Sequence, residues 1–334
     1  MLIMSIIAPP LDQVDFERQI RQAVDDHNAI ILAHNYQPPW IKRVADVTGD
    51  SLYLSQQARD TDASTIVFCG VRFMAETAKM LSPHKRVILP ADDAECSLAD
   101  SITAADLAAW KSTYPDAIVV AYVNTSAAVK ALSDVCCTSS NAVEVVRSIP
   151  EDREILFLPD QFLGAYVQRM TKHPNMHIWM GECHVHADIS PDRLRAKMAE
   201  HPEASLMVHP ECGCTTSTLY ELADGDRIHG RQRVQFLSTN QMIVKARETT
   251  EDHVLVATEI GILSDLRAAN PAVHFEAVND QAECPYMNRI TPARLLESFG
   301  SSNDEIMLDD ETIARARLAV ERMVDPALRT WARP

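Results

Sequence analysis

The chain has 334 residues, with 47 acidic against 31 basic side chains, a net charge of −16, eight cysteines and only nine glycines. That length suits two or three units of about 100–150 residues, and an acidic balance with no basic block argues against nucleic acid or anionic membrane as partners. No run reaches the ~18 apolar residues of a membrane span, and the apolar stretch Leu2 to Ala8 lacks the cationic flank of a secretory signal, so the sequence predicts a soluble cytoplasmic protein whose cysteines are thiols or metal ligands. The glycines form neither GxGxxG nor GxxxxGK[ST], which removes the common nicotinamide and ATP phosphate loops.

Apolar residues recur at helical spacing from Asp12 to His27, and Ala29 to Ala33 then reads as a buried strand ending in His34-Asn35-Tyr36-Gln37. A helical stretch near Ile41 to Val47 follows. Leu52 to Arg59 is a second helix, with Asp50 or Ser51 as its N-cap. Thr65 to Phe68 is a strand, a helix runs through Met80, and the strand Arg86 to Leu89 leads to Cys96. Such alternation predicts a parallel sheet with helical crossovers.

The pattern then restarts. Ala117 to Ala121 is a strand ending in Tyr122-Val123-Asn124-Thr125, Ile155 to Leu158 ends in Pro159-Asp160, and Met176 to Met180 leads to Cys183-His184-Val185-His186. A third round begins with Ser205 to Val208, which ends in His209-Pro210-Glu211-Cys212. It continues through Val234 to Leu237 with Ser238-Thr239-Asn240, Val254 to Ala257, and Val273 to Val278 before Cys284. From the residue closing each round's first strand to its terminal cysteine, His34 to Cys96 is 62 positions, Tyr122 to Cys183 is 61 and His209 to Cys284 is 75. The longer third interval fits an insertion near 215–233. We therefore expect three similar α/β units, at 1–115, 116–203 and 204–300, with a C-terminal helix in 301–334 reading as one amphipathic segment from Asp309 to Arg333.

In open α/β sheets, ligands bind beyond the carboxyl ends of the strands, where the polar residues of this chain collect. One cysteine closing each unit brings three thiolates together, a set that suits zinc or a 4Fe-4S cluster with one iron free of protein. Cys69, Cys136 and Cys137 read as packing residues. Cys212-Gly213-Cys214 beside His209, and the pair His184 and His186, are competing zinc sites. Ser139-Ser140-Asn141 and Ser238-Thr239-Asn240 stand where helix N-termini hold anions, or where they are simply capped.

With Ala33-His34-Asn35-Tyr36-Gln37, Gly49-Asp50-Ser51-Leu52, Phe73 to Ala78, Tyr122 to Thr125, Thr138 to Ala142, Pro159-Asp160, Cys183 to His186, His209 to Cys212, Ala257-Thr258-Glu259 and Cys284 to Met287 in this order, the chain resembles the quinolinate synthase family. The resemblance implies three three-layer αβα domains with parallel sheets, arranged as a pseudo-threefold triangle around a 4Fe-4S cluster held by Cys96, Cys183 and Cys284. It implies condensation of iminoaspartate with dihydroxyacetone phosphate, in the pathway to NAD, and transient contact with the enzyme that produces iminoaspartate. Tyr36, His209 and Glu211 would move protons, while His34, Ser51, Tyr122, Asn124, Ser139, His186, Ser238 and Thr239 would hold carboxylates and phosphate. Rival readings are a metal-containing sensor and a zinc hydrolase using His184, His186 and His209.

Overall fold

A computed structural model describes residues 13–223 and 234–331. The apolar start of the chain and most of the expected insertion lie outside those residues; within the insertion, Thr215–Ala223 is helical.

Among the described residues, twelve strands form three four-stranded sheets. They are β1 (Ala29–His34), β2 (Val47–Gly49), β3 (Thr65–Cys69) and β4 (Arg86–Ile88); β5 (Ile118–Tyr122), β6 (Val135–Cys137), β7 (Ile155–Leu158) and β8 (Met176–Ile178); and β9 (Ser205–Val208), β10 (Val234–Phe236), β11 (His253–Ala257) and β12 (His274–Ala277). Every pairing is parallel, and each sheet has the order second, first, third, fourth. Strands β3, β5 and β7 are buried along their whole length, as near-continuous apolar runs between two helical layers must be.

The repeat extends to individual atoms. Ile31 N–H donates to Asp46 Oδ2 at 2.7 Å, and Val119 N–H donates to Asp134 Oδ2 at 2.8 Å, so in the first two units an aspartate ahead of the edge strand clamps the central strand. Those edge strands, β2 and β6, correct the expected layout. The helix Pro39–Val44 stops before Val47, which pairs with Leu32 instead. Three-residue strands carry too little alternation to stand out from sequence.

The helix Asp310–Val324 is capped by Asp309, which accepts from Thr312 N–H at 2.8 Å. Its buried face, including Ile313, Ala316, Val320 and Met323, lies on β6 and on the helices Ser51–Asp60, Arg72–Leu81 and Ala127–Lys130. The expected single helix to Arg333 is shorter than that: Pro326 cannot continue it, and Pro326–Leu328 forms a separate 3₁₀ turn. Among the described residues no helix is long and apolar enough to cross a membrane.

Candidate active site

The carboxyl ends of all three sheets open onto one cavity. Cys96, Cys183 and Cys284 each follow the last strand of a sheet, and all three line it. Each stands one to three residues ahead of a short helical turn, Ala99–Ser101, His184–Ala187 or Met287–Arg289. In consequence each sulfur faces two backbone N–H groups, from the residues two and three further on. These are Leu98 and Ala99 for Cys96, Val185 and His186 for Cys183, and Tyr286 and Met287 for Cys284. Such donors favour a thiolate.

Opposing them, burial and the nearness of the other sulfurs push the Cys96 thiol well up, and burial pushes Cys284 up to about 12. Three sulfurs that repel one another while facing inward N–H groups form a site for a cation. Thiolates on one zinc, at about 2.3 Å from it, would stand within about 4 Å of one another. Among the described residues the three cysteines do not form a set of ligand atoms within 4.8 Å. Cys69, Cys136 and Cys137 are fully buried in β3 and β6, as expected for packing residues.

Beside the thiols is a buried acid–base group. Glu211 Oε2 lies 3.7 Å from His186 Nε2 and 3.8 Å from His209 Nδ1. Burial raises the Glu211 carboxyl to about 8 and holds His209 well below the usual imidazole range. Burial also lowers His186 to about 4 and, with Lys42 and His186 nearby, His34 to about 3. Tyr36 stays protonated because its hydroxyl is buried and faces Glu211; it shares a 2.7 Å hydrogen bond with Thr258 Oγ1. Burial thus favours the uncharged form of each of these side chains.

The competing zinc sites separate here. His184 is not on a strand with His186, because β8 ends at Ile178 and both lie on the helical turn. Its Nδ1 meets Ser97 Oγ at 2.7 Å, whereas His186 Nδ1 lies 3.4 Å from Cys212 Sγ. The trio expected of a zinc hydrolase thus does not converge, and Glu211 takes the place of His184. Cys212 donates to Ala257 O at 3.1 Å, and neither it nor Cys214 joins a metal-ligating set among the described residues.

Ser51 and Thr239 are the first residues of two ten-residue helices, whose free N–H groups favour anions. Ser139 bonds His209 Nε2 at 3.1 Å, and Thr239 Oγ1 accepts from Asn35 at 3.0 Å. Tyr122 and Asn124 complete the wall from the second unit. Three buried polar atoms here have no protein partner: Asn124 Oδ1, His209 Nδ1 and Glu211 Oε1. Ser238 differs from the other expected site residues. It does not line the cavity and serves as an N-cap in a capping box with Gln241.

Asp50 and Glu259, which were not among the expected site residues, also line the cavity. Asp50 caps the helix Ser51–Asp60 and accepts from Ser140 and Ser238. Glu259 is buried, accepts from the N–H groups of Cys284 and Gly261, and is raised to about 8 by burial. An acid two residues after the end of an apolar strand, as Glu259 is after β11 and Asp160 after β7, is the signal that marks it.

Residues 18–325 match the family described as Quinolinate synthetase A protein. Proteins called quinolinate synthase are 55% identical to this chain. That of Mycobacterium sp. (strain KMS) aligns over 311 residues, 93% of this chain and 92% of the relative. Those of Mycobacterium tuberculosis (strain ATCC 25177 / H37Ra) and Mycolicibacterium paratuberculosis align over 307 residues, 92% of this chain and 87% of each relative. The chain belongs to the quinolinate synthase family and is an enzyme.

Proposed function

We propose that this enzyme condenses iminoaspartate with dihydroxyacetone phosphate to quinolinate, releasing phosphate and two waters without net redox change. The observation that carries the reading is the meeting of three cysteines, one from each sheet, with N–H groups aimed at each sulfur, on a cavity that also presents unpaired Asn124, His209 and Glu211 atoms. That donor set fits a 4Fe-4S cluster on Cys96, Cys183 and Cys284. The cluster would supply a Lewis-acidic iron free of protein ligands.

The chain's own residues account for binding and proton movement. The substrates bring carboxylates and a phosphate into a pocket whose lining, among the described residues, has no lysine or arginine. Hydroxyls of Ser51, Ser139 and Thr239, with the N-termini of Ser51–Asp60 and Thr239–Glu248, offer hydrogen bonds without a countercharge. Keeping Glu211 protonated avoids adding a buried anion beside them. Condensation needs enolisation of the triose, imine formation with loss of one water and one further dehydration, each requiring proton transfer. Neutral His209 can accept a proton at Nδ1, which points at Glu211. The Glu211 carboxyl can deliver one to a departing hydroxyl, and Tyr36 can hold a carbonyl oxygen by donating from Oη.

Iminoaspartate hydrolyses in water, so enclosure of the pocket and handover from the producing enzyme in the cytoplasm would protect it. The test is an anaerobic assay of quinolinate formed from the two substrates, with iminoaspartate generated in place. Production by the parent and its loss in Glu211→Gln with iron retained support the reading; iron-loaded protein forming no quinolinate would refute it.

A further inference from the structure

Away from the cavity, at the amino ends of β11 and β12, three imidazoles meet one carboxylate. His253 opens β11, its neighbour in register His274 opens β12, Glu276 follows two residues later, and His201 ends the helix Pro191–Glu200. The Nε2 atoms of His253, His201 and His274 lie 2.9, 3.3 and 3.6 Å from Glu276 Oε2. The other carboxylate oxygen is taken by Lys197 Nζ at 2.5 Å. One carboxylate oxygen has about two acceptor directions, so three ring nitrogens exceed what hydrogen bonding to it uses. Ligand atoms about 2.0–2.1 Å from one zinc, at tetrahedral angles, stand about 3.3 Å apart, and the three distances bracket that value.

We propose that His201, His253 and Glu276, with His274 at the rim, bind a divalent transition metal of the zinc class, separately from the catalytic centre. The ligand atoms of His201, His253 and Glu276 all lie within 4.8 Å of one another. Imidazole with one carboxylate is a donor set that zinc, nickel or cobalt takes in preference to magnesium or calcium. Lys197 then acts as a partner behind the metal, fixing Glu276 so that only Oε2 turns inward.

The approach suits a cation. An open hollow of about 740 Å³ leads to His201 and His253 and is bordered by Glu200, Glu203, Glu251 and Asp252. Negative walls raise the local concentration of a divalent ion. Once bound, the ion would join the carboxyl end of the helix Pro191–Glu200 to two strands of the third sheet, pinning a segment that follows directly on the Cys183 turn.

The test is zinc added alone to tag-free enzyme carrying its native cofactor, followed by calorimetry and zinc-edge X-ray absorption. We expect one zinc per chain in a shell of nitrogen and oxygen with imidazole scattering and no sulfur, and a melting temperature that rises with zinc. His201→Ala/His253→Ala and, separately, Glu276→Gln should each weaken binding at least tenfold, with quinolinate formation unchanged. Circular dichroism and the cofactor's absorbance report folding of the variants. Sulfur in the zinc shell, unchanged affinity in folded variants, or no binding by the parent would overturn the assignment.

Discussion

Ser140 Oγ donates a 2.7 Å hydrogen bond to Asp50 Oδ2, across the boundary between the first and second sheets. The same oxygen receives Ser238 Oγ from the third unit at 3.4 Å, and Asp50 Oδ1 caps its own helix through Tyr53 N–H. One carboxylate therefore touches all three units at the edge of the cavity. A tie of this kind holds Ser51, Ser139 and Thr239 in mutual register, since each is one residue from an atom in the network.

Asp50→Ala should lose the cap, worth about 1 kcal/mol, together with two bonds to a charged group. We expect a fall of about 2–4 kcal/mol in unfolding free energy by urea titration, and a raised KM. Asp50→Asn, which keeps an acceptor, should lose less than about half of that. A change below about 0.5 kcal/mol in Asp50→Ala would show that the three units do not depend on this carboxylate.

If Glu211 is the proton donor proposed above, it should set the alkaline limb of activity. Its carboxyl is raised to about 8, so it carries its proton below that pH and loses it above. As a proton donor it is competent on the acid side, and kcat/KM should decline as pH rises through about 8. His186 and His34, lowered to about 4 and about 3, stay neutral above pH 5 and leave that flank flat. Glu211→Gln should reduce kcat by about 10²–10⁴-fold. A parent profile that climbs through pH 8 instead would assign the ionised carboxylate the working role.

Asp160 gives a stability counterpart. Burial raises it to about 8, although it accepts from Leu163 N–H at 2.6 Å as the cap of Gln161–Thr171. A folded value above the unfolded one means that its contribution is complete below about pH 4 and is lost as pH rises toward 8. Asp160→Asn keeps the cap without ionising. Its stability relative to the parent should improve by up to about 1.4 kcal/mol per pH unit between pH 5 and 8, then level off. A difference independent of pH in denaturation curves would contradict this.

Gly181 is required by space. A Cβ there would come within 2.5 Å of Pro159 O and would also meet Ser101. Gly181→Ala forces a backbone shift two residues before Cys183, with an expected cost of about 1–3 kcal/mol and a lower iron content. Parent-like melting and iron content would mean that the Cys183 turn absorbs the shift freely.

The fold was legible where apolar runs were long: β3, β5 and β7 stand out because both of their faces are buried. The edge strands β2 and β6 did not, since three residues between a helix and a cap carry no period. At the site, the cysteines could be placed by their common position after each final strand, and the positions of His209, Glu211 and Tyr36 after β9 and β1 followed the same rule. Asp50 was visible only as a cap, because its bonds to Ser140 and Ser238 span 90 and 188 positions. Glu259 obeyed the strand-end rule but offered no partner in sequence, as its contact with the Cys284 N–H depends on how the β11 and β12 loops meet.

Iron and acid-labile sulfide analysis of anaerobically purified protein, for the parent and for Cys96→Ser, Cys183→Ser, Cys284→Ser and Cys69→Ser, bears most directly on the convergence of three sheets upon one cofactor. The parent and Cys69→Ser should each contain about four iron and four sulfide per chain, and the other three variants should be depleted of both. A parent lacking sulfide, or a full complement retained in any of the three depleted variants, would contradict it.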